Sequence, residues 1–254
     1  MSTSEKGVKI SSEPQLFVDD GFVGYKLGVV RTLHSARKLE KPVLEPDRPW
    51  EGDRIYIHGT VYYDRQTQLF RMWYVTRLSP EYEHRASGLI WPWDLILYAT
   101  SQDGIHWEKP DLGLHEFDGS KDNNILILNK HSPTLIIDEE AADPANRFRM
   151  AACDWTEGKQ GFWVADSADG LNWTEHPDNP IMVTSDEVLE TLTIAREPRT
   201  GDYFGFHRRW GEGDHIFNKK RLVAVATSKD FREWSDPKLI FAPDAQDDAW
   251  VQDP

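Results

Sequence analysis

The chain has 254 residues, 39% of them hydrophobic and 28% charged, with 15 prolines and 17 glycines. That composition is globular, rich in turn formers, and long enough for one large all-β domain. A net charge of −14 leaves no concentrated basic footprint, which argues against nucleic acid and against anionic membrane surfaces.

The start, Met1-Ser2-Thr3-Ser4-Glu5-Lys6, lacks the basic opening and apolar run of a secretion signal, and no segment approaches the ~18 apolar residues of a membrane span. The expected location is cytoplasmic. One cysteine, Cys153, lies in the strand-like run Arg149-Met150-Ala151-Ala152-Cys153; it can form no intrachain disulfide and is expected to be a buried thiol.

In chain order, Gln15-Leu16-Phe17-Val18-Asp19-Asp20 and Val29-Val30-Arg31-Thr32-Leu33 read as two strands. A repeat follows. Ser101-Gln102-Asp103-Gly104-Ile105-His106-Trp107 recurs as Ser167-Ala168-Asp169-Gly170-Leu171-Asn172-Trp173, and again as Ser228-Lys229-Asp230-Phe231-Arg232-Glu233-Trp234. The interval is about 60 residues, the size of one supersecondary unit. Asp-Gly suits a tight turn, because Gly accepts positive φ and Asp bonds the backbone two residues on. The third copy carries Phe231 in place of Gly, so its turn is expected to differ in detail.

Each copy is preceded by three β-rich runs: Gly59-Thr60-Val61-Tyr62-Tyr63, Leu69-Phe70-Arg71-Met72-Trp73-Tyr74 and Leu95-Ile96-Leu97-Tyr98-Ala99-Thr100 in the first unit, with counterparts in the other two. No stretch holds helical periodicity over three turns. The expectation is a β-propeller of four-stranded blades over about 50–128, 129–183 and 184–242. The strands of residues 15–45 would close the ring, and a further blade would begin at 243–254. The whole of 1–254 is then one C-terminally incomplete propeller domain.

The chain resembles the five-bladed propeller glycoside hydrolases, the superfamily of family 43 arabinanases and xylosidases and family 32 fructosidases, and within it a family 32-like bacterial branch. The likeness is carried by Leu16-Phe17-Val18-Asp19-Asp20, Pro42-Val43-Leu44, Pro49-Trp50-Glu51-Gly52, Arg71-Met72-Trp73-Tyr74, the segment from Tyr98 to Pro110, and Asp122-Asn123-Asn124-Ile125. It implies an oligosaccharide or glycoside substrate in a central funnel and two carboxylates flanking the scissile bond. The Asn-Asp-Pro-Asn and Glu-Cys motifs of family 32 do not occur in this sequence.

In such a funnel the residues that open the inner strands converge. In the first unit these are Glu51 and Asp53, with Trp50 as a sugar platform and Arg54 as a partner for a carboxylate. His58 opens the first inner strand and His131 the second, each able to bond a hydroxyl. The resemblance places an acidic residue at the start of the third, where Glu190 stands and Asp186 is the fallback; Arg208 adds a fork-shaped donor. The expected catalytic pair is Glu51 and Glu190.

No His/Asp/Glu spacing reads as a zinc site and no cofactor is expected, although a calcium ion on the axis, held through water by His, is compatible with the fold. Two alternatives remain open: a non-catalytic carbohydrate-binding propeller, and a glycoside phosphorylase using Arg208, Arg209, Lys219 and Lys220.

Overall fold

The described residues form three antiparallel sheets. The computed structural model describes residues 12, 20, 21, 23–82, 84–90, 94–154, 161–183, 192–210, 221–244, 246 and 247. The sequence reads as one domain, whereas the chain divides into two compact units, Met1–Glu40 and Lys41–Pro254. In the first, residues 29–33 form no strand; Val30 and Leu33 are 88% and 95% exposed. A strand needs a ladder partner, and among the described residues this run has none. The other expected strand, residues 15–20, lies outside the described residues apart from Asp20.

In the second unit, sheet 1 holds β1 (Ile55–Asp64), β2 (Leu69–Arg77), β3 (Asp94–Ser101), β4 (Trp107–Glu108) and β5 (Ile125–Leu128). β1, β2 and β3 pair in order, and β4 and β5 share the outer side of β3. Sheet 2 holds β6 (Lys130–Ile137), β7 (Phe148–Asp154), β8 (Gly161–Ser167), β9 (Thr174–Glu175) and β10 (Met182–Val183), built on the same plan. Sheet 3 is the meander β11 (Leu192–Arg196), β12 (Tyr203–Trp210), β13 (Arg221–Ser228) and β14 (Lys238–Phe241). Among the described residues no helix is long and apolar enough to cross a membrane.

The three Ser-x-Asp turns are hydrogen-bonded alike. In the first, Ser101 Oγ accepts from the backbone of Asp103 and Gly104, and Asp103 Oδ1 accepts from Ile105 and His106 at 2.8 Å each. Asp169 accepts from Leu171 and Asn172, and Asp230 from Arg232 and Glu233, at 2.8–2.9 Å. Against expectation the third turn does not differ in conformation: φ is 74° at Gly104, 75° at Gly170 and 71° at Phe231. Packing explains how a side chain is held there. The Phe231 ring is buried and meets Tyr203 and Trp234 edge-on, at centroid distances of 5.2 and 6.0 Å.

These turns join the sheets. Phe70, Phe148 and Tyr203 each pair with the serine of their own turn, so the three sheets share one internal register there. From the next position, Arg71 donates to the Asp169 carbonyl of sheet 2, and Arg149 to the Asp230 carbonyl of sheet 3 at 3.1 Å. Both guanidinium groups also lie over a ring of the following sheet, Phe148 at 4.9 Å and Tyr203 at 5.9 Å.

The inner strands repeat a second link. Leu135 N donates to Thr60 Oγ1 at 3.1 Å, and Ile194 N to Thr134 Oγ1 at 3.3 Å. A carboxylate at the end of β1 and one just after β6 each collect an arginine from the next sheet: Asp64 takes Arg147 at 2.9 Å, and Asp138 takes Arg196 at 2.7 Å. Apolar clusters fill the two gaps. Trp73, Val75, Tyr98, Phe148 and Trp163 lie in the first, and Ala151, Cys153, Phe162, Ile194 and Phe231 in the second. Each large side chain so buried contributes on the order of 2–3 kcal/mol.

Candidate functional site

β1, β6 and β11 are the first strands of their sheets and lie side by side, β1 beside β6 and β6 beside β11. The sequence places the first at residues 59–63, but β1 begins earlier, at Ile55, and both β1 and β6 are bulged near their starts. The register slips between Tyr56 and Thr60 in β1, and between His131 and Thr134 in β6. A bulge bends its strand and re-aims the side chains within it, a feature common beside functional sites. Gly59 is required there, because a Cβ would fall 1.9 Å from the Trp73 carbonyl oxygen.

The bulges bring the imidazoles of His58 and His131 together, with centroids 5.7 Å apart and ring planes at 73°. Tyr56 stacks on the other side of His58 at 5.4 Å, and Ser132 Oγ lies 3.4 Å from His58 Nδ1. Behind them Asp94, 1% exposed, accepts both arms of Arg77 at 2.8 and 3.1 Å and lies 3.5 Å from His131 Nδ1. Lys130, alongside, pairs with Asp154 at 3.0 Å and sits over the Trp163 ring at 5.5 Å. Four polar side chains from two inner strands thus lie together, Ser132 and His131 buried and His58 exposed, beside the ion pairs of Asp94 and Asp154. Such a surface can donate to and accept from hydroxyl groups.

The backbone here is held in an uncommon conformation. Asn129 and Ser132, on either side of His131, have φ of 61° and 49°. A non-glycine residue in the left-handed region costs about 1 kcal/mol or more. The Asn129 side chain braces the turn by accepting from Ile90 N at 2.9 Å and donating to the Gly88 carbonyl at 2.8 Å.

The other expected residues are placed differently. Glu51 is 0% exposed, in the 3-10 turn Pro49–Glu51. It accepts from Tyr74 OH at 2.8 Å, Asp47 N at 2.9 Å, Arg48 N at 3.0 Å and Lys109 Nζ at 2.7 Å. Burial and the Glu51 charge push the Tyr74 hydroxyl far above the usual phenol range. Such a carboxylate is an interior anchor with its lone pairs committed, not a group facing a substrate.

Trp50 is half-buried as well, its indole donating to Asn124 Oδ1 at 2.6 Å and its ring edge-on to Phe117. That placement corrects the sugar-platform expectation: the ring belongs to the interior of sheet 1. Asp53 and Arg54 are both exposed just ahead of β1, 3.4 Å from each other. Arg208 lies in β12 opposite Val223, one residue past His207, the partner of Leu192 at the start of β11. Glu190, Asp186, Lys219 and Lys220 lie outside the described residues, and among those described no group of His, Cys, Asp and Glu is arranged to hold a metal ion.

The structure brings the two expected histidines together and adds Arg77, Asp94 and Ser132 beside them, residues the sequence reading does not name. A signal was present: Arg77 and Asp94 end and begin two apolar runs, and they are direct cross-strand partners.

Solved structures similar to this one carry sugars or sugar-directed names. An N-acetylgalactosamine deacetylase from F. plautii, solved with blood group B trisaccharide, superposes with a TM-score of 0.53 at 15% identity, over 81% of this chain and 58% of the deacetylase. The likeness decides the fold alone. This chain is built of β-propeller blades. A β-fructofuranosidase from Schwanniomyces occidentalis in complex with fructosyl-erythritol matches at a TM-score of 0.49 and 16% identity, over 73% of this chain and 33% of the enzyme. The endo-arabinase of Bacteroides thetaiotaomicron matches at 0.47 and 13%, over 72% and 54%. The chain therefore spans between about a third and three-fifths of the length of these proteins. No family model matches the sequence. No curated protein matches it either.

Proposed function

We propose that the chain is part of a five-bladed propeller glycoside hydrolase of the family 32/43 type, which binds a neutral oligosaccharide or glycoside at the openings of its inner strands. The observation that carries this reading is the convergence of Tyr56, His58, His131 and Ser132 from two bulged inner strands beside the part-buried Arg77–Asp94 pair. The blood group B trisaccharide in complex with the F. plautii deacetylase adds support for carbohydrate as the ligand class.

Of the two carboxylates that glycoside cleavage needs, Glu190 remains the proposed acid or base of the third inner strand. Glu51 is committed to the interior, so the fallback residue Asp53, exposed at the opening of β1, takes the second place. A separation of roughly 5 to 9.5 Å between them would suit a retaining or inverting mechanism.

Hydrolysis of aryl glycosides and plant oligosaccharides is the test. Asp53→Asn and Glu190→Gln should each reduce the rate at least about a hundredfold, the usual order for loss of a general acid or base. Glu51→Gln should instead lower stability, by about 3 kcal/mol, because Lys109 is left buried beside an uncharged partner. A fully active Glu190→Gln enzyme would overturn the assignment. Burial of Glu51 favours one second reading, a carbohydrate-binding propeller without an aligned acid pair. Sugar binding with no turnover of any substrate would select it.

A further inference from the structure

Between the 3-10 turn Pro49–Glu51 and β1 the chain has only Gly52, Asp53 and Arg54, and this link is fixed at both ends. Upstream, the buried Glu51 carboxylate is tied to Asp47, Arg48, Tyr74 and Lys109. Downstream, Ile55 enters the ladder opposite Thr76. Thr76 also spans the link itself. Its side chain is fully buried, and its hydroxyl lies 2.6 Å from the Glu51 carbonyl oxygen and 2.8 Å from that of Arg54. One hydroxyl donor thus serves two backbone acceptors on opposite sides of Asp53. Gly52 makes the bend possible: its φ is 63°, and a Cβ there would come within 3.3 Å of the buried Leu78 side chain. The Asp53 side chain, by contrast, is exposed, and its ion pair is with the equally exposed Arg54 at 3.4 Å. Such a surface pair restrains a side chain weakly, so the carboxylate takes its place from its backbone.

We propose that Thr76 is a positioning residue for Asp53: its hydroxyl staples the backbone on either side, so that the carboxylate is presented from a fixed point at the opening of β1. The chemical role of Asp53 rests on the glycosidase reading above; the stapling of its backbone does not. A carboxylate that acts as acid, base or nucleophile must be held within about 0.5 Å of its productive place, and a small displacement of the reacting groups is costly. A three-residue link meets that demand when both of its ends are pinned to a strand of the core. Valine at position 76 would keep the shape of the side chain and take the donor away from both carbonyls, whereas serine would keep the donor.

The first test is nitrogen-15 relaxation on the 254-residue chain, which reads backbone order without substrate. In wild type the amides of Asp53 and Arg54 should be as ordered as a strand, with order parameters of about 0.85. Thr76→Val should lower both to about 0.6 while the rest of sheet 1 keeps its values, and Thr76→Ser should stay at the wild-type level. A wild-type value at Asp53 below about 0.6 overturns the proposal whether or not the variants fold. So does unchanged order in a folded Thr76→Val chain. Turnover of an aryl glycoside then tests the chemical part. Thr76→Val should lower kcat about tenfold with KM little changed, and Thr76→Ser should restore it. In an Asp53→Asn background Thr76→Val should cost nothing further, because it acts through the group already lost. An equal loss in both backgrounds means that Thr76 acts on something other than Asp53 and overturns the assignment. No hydrolysis by the wild type removes the glycosidase reading, and with it the chemical role of Asp53, and leaves the stapling to the order parameters.

Discussion

Between sheets 1 and 2 a tryptophan meets a glycine; between sheets 2 and 3 the equivalent positions hold an alanine and a phenylalanine. The register makes the equivalence firm, since Trp73 and Ala151 each stand three residues after the residue paired with the turn serine. Gly170 and Phe231 each stand three residues after that serine in the turn itself. Trp73 donates its indole N–H to the Gly170 carbonyl at 3.0 Å, and a Cβ at Gly170 would fall 2.9 Å from the Trp73 ring. In the second gap Ala151 and Phe231 belong to one buried cluster. Total volume is conserved while the large partner changes sides. Closely packed interiors tolerate such an exchange, and either half alone would leave a void or a clash. The arginine-to-carbonyl and threonine links, by contrast, recur in both gaps.

The comparison can be broken most sharply at Gly170. Gly170→Phe places a ring against Trp73, Arg71 and Phe148 in a left-handed turn, and should cost about 3–4 kcal/mol by urea unfolding. Trp73→Ala alone should cost a similar amount through the cavity it leaves. The double variant imitates the second gap, so the two losses should fall short of additive by more than about 1 kcal/mol. Strict additivity would mean that the two positions do not share a volume.

Phe231→Gly is the reciprocal test and should be milder. It relieves about 1 kcal/mol of backbone strain but empties the space between Tyr203, Trp234 and Arg149, for a net loss of about 2 kcal/mol. A neutral or stabilising result would show that the ring does not fill the gap. Smaller still are Thr60→Val and Thr134→Val, each removing the acceptor of one inter-strand N–H bond. Both should cost about 1 kcal/mol, and nearly the same amount, if the link is truly repeated.

Much of this architecture is legible in the sequence. The three Ser-x-Asp turns can be read because their bonds are local, each serine and aspartate capturing N–H groups within three residues. Phe231 stands out when the three copies are set side by side, but its expected conformational difference does not occur, because tertiary packing holds a phenylalanine where a glycine would relax. The site is harder to read. His58 and His131 could be found as openers of inner strands, yet their meeting depends on two bulges, which only Gly59 and Pro133 mark in the sequence. Glu51 fails as a catalytic candidate for a reason spread over several segments: its partners Asp47, Arg48, Tyr74 and Lys109 are not gathered in one stretch of sequence, so nothing local signals its burial.

Acid provides the finest discrimination between the two gaps. Burial works against the charge of Asp169, but bonds from Asn172, Leu171 and Ser167 outweigh it and hold its carboxyl below the usual range. Asp230 behaves likewise, with burial opposed by Glu233, Arg232 and Ser228. At Asp103, which seats on no preceding sheet among the described residues, the backbone and ring of His106 and the backbone of Ile105 lower it as well. A depressed carboxylate contributes stability that is fully present above the unfolded value of about 4 and is lost as pH falls through the folded one. Asp169→Asn and Asp230→Asn should therefore destabilise at pH 7, with a penalty that shrinks at about pH 3, below the unfolded value. Urea midpoints at the two pH values measure this. An equal penalty at both would mean that the turns bind their N–H groups by geometry alone, with no contribution from charge. If both penalties shrink together, the turn electrostatics are shared by the two gaps, and the exchange of Trp73 and Gly170 for Ala151 and Phe231 is a difference of volume only.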